Sequence, residues 1–153
     1  MNLDEIDKKI LRLLQADAKM SVKDLGERVN LSTTPVFQRV KRLEKLGVIE
    51  GYSAIVNPDK IGPRTLVFME VNLKIHRQSE LEEFESTIEK MDEVLACYHI
   101  TGKYDYLLKI SISDMSEYRQ FIMDKFSKIK NVDSLTSSIT LKQVKKEKDV
   151  LIS

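Results

Sequence analysis

Residues 31–47 read Leu31-Ser32-Thr33-Thr34-Pro35-Val36-Phe37-Gln38-Arg39-Val40-Lys41-Arg42-Leu43-Glu44-Lys45-Leu46-Gly47, and this stretch decides the fold of the N-terminal third. On a helical wheel Val36, Val40, Leu43 and Gly47 share one side, while Thr34, Gln38, Lys41, Arg42 and Lys45 lie opposite, with Arg39 on a flank. Pro35 falls in the first turn, where backbone amides lack intrahelical partners and its missing N–H does little harm. Such a helix packs inward by its apolar edge and offers hydroxyls, an amide and cations outward. Those groups suit a DNA groove: Arg and Lys neutralise phosphates, Gln and Arg read base edges, Ser and Thr do either. A solvated basic face on an ordinary surface helix has the same composition, so the flanking sequence has to decide.

Upstream, Ile6, Ile10, Leu13 and Leu14 recur at helical spacing and predict a first helix over residues 4 to 16. Ser21-Val22-Lys23-Asp24 has the form of a capping box, and Val22, Leu25 and Val29 give a short second helix. Asn30 tolerates the left-handed conformation that a tight turn demands. Three helices with a short turn between the last two make a helix-turn-helix unit. Val48-Ile49-Glu50-Gly51-Tyr52-Ser53-Ala54-Ile55-Val56 reads as a strand, a Gly turn and a second strand, forming a small wing.

Charge is locally placed. The whole chain of 153 residues has a formal net charge of +1. Ser32 to Gly47 nevertheless holds four cations against one anion, so affinity from one copy is expected to be modest and dimers would strengthen it. No apolar run approaches the length of a membrane span, the acidic N-terminus is unlike a signal peptide, and a single cysteine, Cys97, cannot form an internal disulfide. These features predict a cytoplasmic protein without a membrane partner.

Asn57-Pro58-Asp59-Lys60-Ile61-Gly62-Pro63 is turn-rich and marks a boundary. The expected organisation is a DNA-binding domain over 1–52, a linker strand and turn over 53–65, and a second domain over 66–153. Beyond the boundary the hydrophobic period changes to two: Val67, Met69, Val71, Leu73 and Ile75 alternate with polar residues and Phe68. Ser79-Glu80-Leu81-Glu82 reads as a capping box for a helix with Leu81, Phe84, Ile88 and Met91 inward. Val94, Ala96, Tyr98 and Ile100 line one side of a second strand, and Thr101-Gly102-Lys103 turns into a third carrying Tyr106, Leu108, Ile110 and Ile112. Asp114 and Glu117 cap a helix with Tyr118, Phe121, Ile122, Phe126 and Ile129, and Leu135, Ile139 and Leu141 belong to a last strand. The predicted fold class is α+β: a winged helix-turn-helix followed by a ferredoxin-like βαββαβ sandwich. The sheet face opposite the helices carries Phe68, Leu95, Cys97 and Leu107, which reads as a self-association face.

Leu3-Asp4-x-x-Asp7-x-x-Ile10-Leu11, Leu31-Ser32-x-Thr34-Pro35-Val36-x-x-Arg39-Val40-x-Arg42-Leu43-Glu44 and Gly47-Val48-Ile49-x-Gly51-Tyr52 resemble the Lrp/AsnC family of leucine-responsive, feast/famine transcriptional regulators. The second half resembles that family's effector-binding and oligomerisation module through Gly102-x-Tyr104-Asp105-Tyr106 and Asp114-Met115-Ser116. The resemblance covers essentially the whole chain. It implies a non-enzymatic regulator without a cofactor that binds double-stranded DNA as a homodimer, assembles further to an octamer, and holds a small effector, usually an amino acid, at dimer–dimer contacts. By motif position it makes Ser32, Thr34, Gln38, Arg39 and Arg42 the DNA-reading candidates. Gln38 and Arg39 are assigned to bases, Lys41, Arg42 and Lys45 to phosphate, and Thr33 joins the hydroxyl-rich start. Thr33 stands where many members have proline, and Phe37, which also suits a core position, stands where smaller residues are frequent.

An amino acid presents a carboxylate and an ammonium, so its site needs amide donors, a carboxylate and an apolar pocket. Thr101, Gly102, Lys103, Tyr104 and Asp105 offer the first two, with Asp105 facing an ammonium; the same residues also make a good turn. Lys103 departs from the acidic or amide residue often found there. His99, Met115, Ser138, Ile139 and Thr140 lie where the family's pocket walls fall. Two other functions compete: an architectural DNA-compacting protein without an effector, and a decarboxylase of the haem pathway, a fold relative that uses histidines and basic residues. This chain holds only His76 and His99, and no metal-ligand or phosphate-loop spacing.

Overall fold

The computed structural model describes residues 2–62, 64–145 and 152. Met1, Pro63, 146–151 and 153 lie outside them, and with them the end of the expected Asn57–Pro63 turn and most of the expected tail of the second domain. The chain forms two compact units, Met1–Val56 together with Lys145–Ser153, and Asn57–Val144. The last residues thus group with the first unit, where the Arg12 Nε donates to the Ile152 carbonyl at 3.1 Å.

The first unit contains α1 (Glu5–Ala16), α2 (Val22–Val29) and α3 (Thr33–Lys45). Ile10, Leu11, Leu25, Val29, Val36, Val40 and Leu43 form its buried centre. Each helix start carries the chemistry its sequence announces. Asp4 and Asp7 cap α1 reciprocally, Asp7 N donating to Asp4 Oδ1 at 2.8 Å and Asp4 N to Asp7 Oδ2 at 3.2 Å. Ser21 Oγ accepts from Asp24 N at 3.1 Å, while its hydroxyl donates to the Asp24 carboxylate at 2.6 Å, so this box closes side chain to side chain. Asn30 ends α2 at φ 57° and ψ 45°, the left-handed geometry predicted for it.

The turn between α2 and α3 is tight for a reason the periodicity did not flag. The Leu31 amide donates to the Gly26 carbonyl at 2.9 Å, and a Cβ on Gly26 would lie 2.6 Å from the Leu31 carbonyl oxygen. Gly26→Ala should therefore destabilise the first unit by about 2 kcal/mol, since backbone must move, even though alanine recovers up to about 1 kcal/mol of helix propensity. Urea unfolding of the variant checks this; unchanged or raised stability would show that the turn relaxes freely.

Two local expectations fail here. No strand lies between Lys45 and Pro58 among the described residues, so the strand, turn and strand expected over Val48–Val56 do not pair with each other. A two-stranded ribbon is marginal alone, and in a two-residue turn of type I′ only Gly51, not Glu50, would take a positive φ readily. Gly47 takes φ +68° just past α3 and is exposed, rather than extending its apolar side.

The second unit opens with a short helix, α4 (Pro58–Ile61), inside the stretch expected as a turn. It continues as β1 (Thr65–Leu73), α5 (Gln78–Ile88), β2 (Val94–His99), β3 (Tyr106–Ile112), α6 (Met115–Gln120) and β4 (Val132–Ile139). The antiparallel sheet has the order β2-β3-β1-β4, the arrangement of a ferredoxin-like βαββαβ sandwich. Val67, Met69, Val71, Leu73, Leu108, Ile110 and Ile112 pack against Phe84 and Ile88 of α5 and against Phe121 and Phe126. The helix after α6 passes through a π turn, Phe121–Lys125, and a 3-10 turn, Phe126–Lys128. The wider turn brings two phenylalanines five apart onto one face, their ring centroids 5.9 Å apart.

Three further expectations are corrected. The N-cap of α5 is Arg77 rather than Ser79, which lies inside the first turn. The Arg77 carbonyl already accepts from Glu80 and Leu81, starting the helix earlier. The last strand stops at Ile139, leaving Leu141 fully exposed. In β2, a bulge between Val94 and Ala96 inserts Leu95 and reverses the alternation beyond it. Cys97 and His99 consequently pair with Leu108 and Tyr106 on the helix side, whereas Ala96 and Tyr98 stand opposite Lys109 and Leu107. The helix-free face therefore carries Phe68, Leu107 and Tyr98, and not Cys97 as expected.

Candidate functional site

The outward side of α3 exposes Ser32, Thr33, Thr34, Gln38, Lys41, Arg42 and Lys45 together. Ser32 is the N-cap, yet its side chain makes no capping bond. Three hydroxyls therefore stand at the positive end of the helix dipole, where a phosphate binds well. Lys41 Nζ lies 2.7 Å from the Glu44 carboxylate, which lowers the pKa of Glu44 and restrains the lysine. Lys45 is exposed in the last turn.

Arg39, assigned to bases from the sequence, is engaged by two carboxylates of the first helix. Its Nη1 donates to Asp4 Oδ2 at 2.6 Å and to Asp7 Oδ1 at 2.8 Å. Arg42 Nη2 donates to the other Asp7 oxygen. The Asp7 side chain is 1% exposed, that of Arg39 27% and that of Arg42 50%. A buried carboxylate is thus shared by two guanidiniums, and the capping pair of α1 is tied to the middle of α3. The Asp7 amide first and Arg39 second hold the Asp4 carboxyl below its ordinary range, and the two aspartates raise Arg39 in return. Arg39 therefore ties the middle of α3 to the start of α1. Arg42 contributes to the same lock but keeps further donors in solvent. The signal for this lies in the sequence: Asp7 interrupts the apolar stripe of α1 at i−3 from Ile10 and i−4 from Leu11, and a carboxylate there needs a cation.

In the second unit, the effector candidates separate into two groups. Thr101 to Asp105 form the connection from β2 to β3, closed by the Ile100 amide donating to the Asp105 carbonyl at 2.8 Å. Gly102 sits at φ +126°, where a side chain would be strained, and the space around it is open. Lys103 Nζ stands 5.0 Å from the centre of the Tyr104 ring. Asp105 is already engaged: its Oδ2 accepts from the Leu73 amide at 2.7 Å and lies 2.8 Å from His76 Nε2. Partial burial pushes its pKa up, but the Leu73 amide and His76 outweigh this and hold the carboxyl low. It fixes the turn to the end of β1 before it can serve an ammonium.

His99 stacks on Tyr106 with centroids 4.6 Å apart. The two border a cavity of about 340 Å³ between α5 and the β2 edge, lined also by Glu85, Ile88, Glu89, Val94, Ala96 and Cys97. Tyr106 donates its hydroxyl to Glu85 at 2.7 Å, a contact that the sequence reading did not include. Met115, Ser138, Ile139 and Thr140 lie at the opposite end of the sheet. Ile139 pairs with Val67, and Thr140 N donates to the Leu66 carbonyl at 2.9 Å, whereas the turn abuts Val71 and Leu73. The seven residues of β3 separate the two groups, about 20 Å at roughly 3.4 Å per residue.

The helix-turn-helix and the sandwich each match a known type. Residues 3–50 match a winged helix-turn-helix DNA-binding domain, and residues 66–150 match the Lrp/AsnC ligand binding domain. The chain belongs to the Lrp/AsnC family. Over 151 residues it is 36% identical to the leucine-responsive regulatory protein of Escherichia coli strain K12, spanning 99% of this chain and 92% of that protein. An AsnC family transcriptional regulator from Agrobacterium tumefaciens superimposes with a TM-score of 0.92 at 32% identity, covering 97% of each chain. A transcriptional regulator from Neisseria meningitidis, solved as a complex with L-Met, superimposes with a TM-score of 0.88 at 33% identity, covering 95% of this chain and 94% of the other. This Lrp/AsnC protein is accordingly a DNA-binding transcriptional regulator with a ligand-binding domain. Among the described residues, no helix is long and apolar enough to cross a membrane.

Proposed function

We propose that α3 enters the major groove and reads bases through Gln38, with Ser32, Thr33, Thr34, Lys41, Arg42 and Lys45 on phosphates. Copies associate through the helix-free sheet face as homodimers that assemble to an octamer, and a free amino acid bound between copies adjusts that assembly. One observation carries the effector part: the turn from Thr101 to Tyr104 and the group Met115, Ser138, Ile139 and Thr140 lie a strand length apart. An amino acid spans well under half that distance, so a ligand touching both groups must draw them from two copies. Binding then links assembly to occupancy, and through the helix-turn-helix units to DNA spacing. The L-Met complex of the Neisseria regulator supports an amino acid as the ligand class.

Thermal-shift measurements against the twenty amino acids test this. A cognate ligand at about 100 times its Kd should stabilise the protein by about 2.7 kcal/mol, and sedimentation should show the assembly changing with the same ligand. Gly102→Thr should abolish that stabilisation, because a branched side chain is strained at this φ and fills the open approach. Stabilisation by none of the twenty would favour an architectural role without an effector.

A further inference from the structure

Phe37 occupies the second turn of α3, between the buried Val36 and the exposed Gln38. Its ring is 50% exposed, so the core position its hydrophobicity suggests is not the one it takes. On the wheel it stands on the edge of the outward face, one turn after Thr33 and one turn before Lys41. Lys41 Nζ lies 5.9 Å from the ring centroid while remaining paired to Glu44, so the ring is held from one side. The N-terminal half of a recognition helix is the part that meets base edges. A phenylalanine there has no hydrogen bond to offer. In the major groove, the apolar group that distinguishes one base from the others is the 5-methyl of thymine.

We infer that Phe37 is a specificity-determining residue that packs on a thymine methyl beside the base contacted by Gln38. The inference rests on the reading of α3 as the groove-entering helix. A glutamine pairs best with adenine, so the two side chains together select an A·T-rich step in each half-site. Charge plays no part in this discrimination; it comes from the area that ring and methyl remove from water.

The test uses the full-length protein and a duplex selected by it from a random pool. Thymines in the selected site are replaced one at a time by deoxyuridine, which deletes the methyl and leaves hydrogen bonding intact. Wild type should lose about fourfold in affinity at one thymine per half-site, the worth of one methyl group withdrawn from water. Phe37→Ala should bind the thymine and uracil duplexes equally, with its melting temperature near that of wild type because the ring is half exposed. Wild-type binding that is indifferent to every replacement overturns the inference, as does a Phe37→Ala protein that keeps the methyl preference. If wild type selects no duplex at all, the groove-entering role of α3 fails, and the inference falls with it.

Discussion

Asp7→Ala is expected to destabilise the helix-turn-helix unit by about 3 kcal/mol, the lower end for breaking a buried ion pair. At about 4–8 °C per kcal/mol for a unit of this size, its unfolding midpoint falls by roughly 12–24 °C. The lower end applies because the orphaned groups are the Arg39 and Arg42 guanidiniums, which reach water, rather than the carboxylate, which does not. The substitution also removes one half of the α1 capping box. Arg39→Ala leaves the Asp7 carboxylate with Arg42 and the Asp4 amide and should cost about 2 kcal/mol, the range for hydrogen bonds to charged groups. The folded fraction of that variant should retain the wild-type preference among DNA sequences. Urea unfolding followed by circular dichroism reads the first effect, and competition binding at a temperature where the variant is folded reads the second. An Arg39→Ala protein of wild-type stability with lost base preference would return Arg39 to the groove.

This lock shows where legibility in the sequence stopped. Local grammar was readable: Ser21, Asn30 and Asp114 sit at the caps and turns their chemistry suits, and the alternation through Val67 to Leu73 gave the buried side of β1 correctly. The partners of Arg39 are 32 and 35 positions away, and a helical wheel, which treats α3 alone, cannot distinguish a flank that meets α1 from one that meets solvent. Period-two reading likewise fails at Leu95, since one inserted residue reverses every side chain after it and has no compositional mark. The sequence marks the phenylalanines at 121 and 126 as core, although α-helical spacing does not bring residues five apart together; the π turn does. The division of the effector candidates was within reach. Antiparallel pairing of β1 with β3 already fixes the β2–β3 turn and the β4 end to opposite ends of the sheet.

Gln38→Ala should weaken binding to the selected duplex by roughly 5- to 150-fold per half-site, the equivalent of about 1–3 kcal/mol for one bidentate base contact. Binding to unrelated DNA should be unchanged, because the amide is exposed, carries no charge and supports nothing in the core. The dependence of affinity on salt should also match wild type, since no phosphate contact is lost. Lys45→Ala provides the opposite pattern: weaker binding to every duplex, with the salt slope reduced by about one per lysine removed. Anisotropy titrations at several salt concentrations on specific and scrambled duplexes separate the two behaviours. A Gln38→Ala protein that still discriminates between those duplexes would place base reading elsewhere than on the exposed face of α3. One that weakens on both equally would make Gln38 a backbone contact, leaving the sequence preference to DNA shape and to the thymine contact assigned to Phe37.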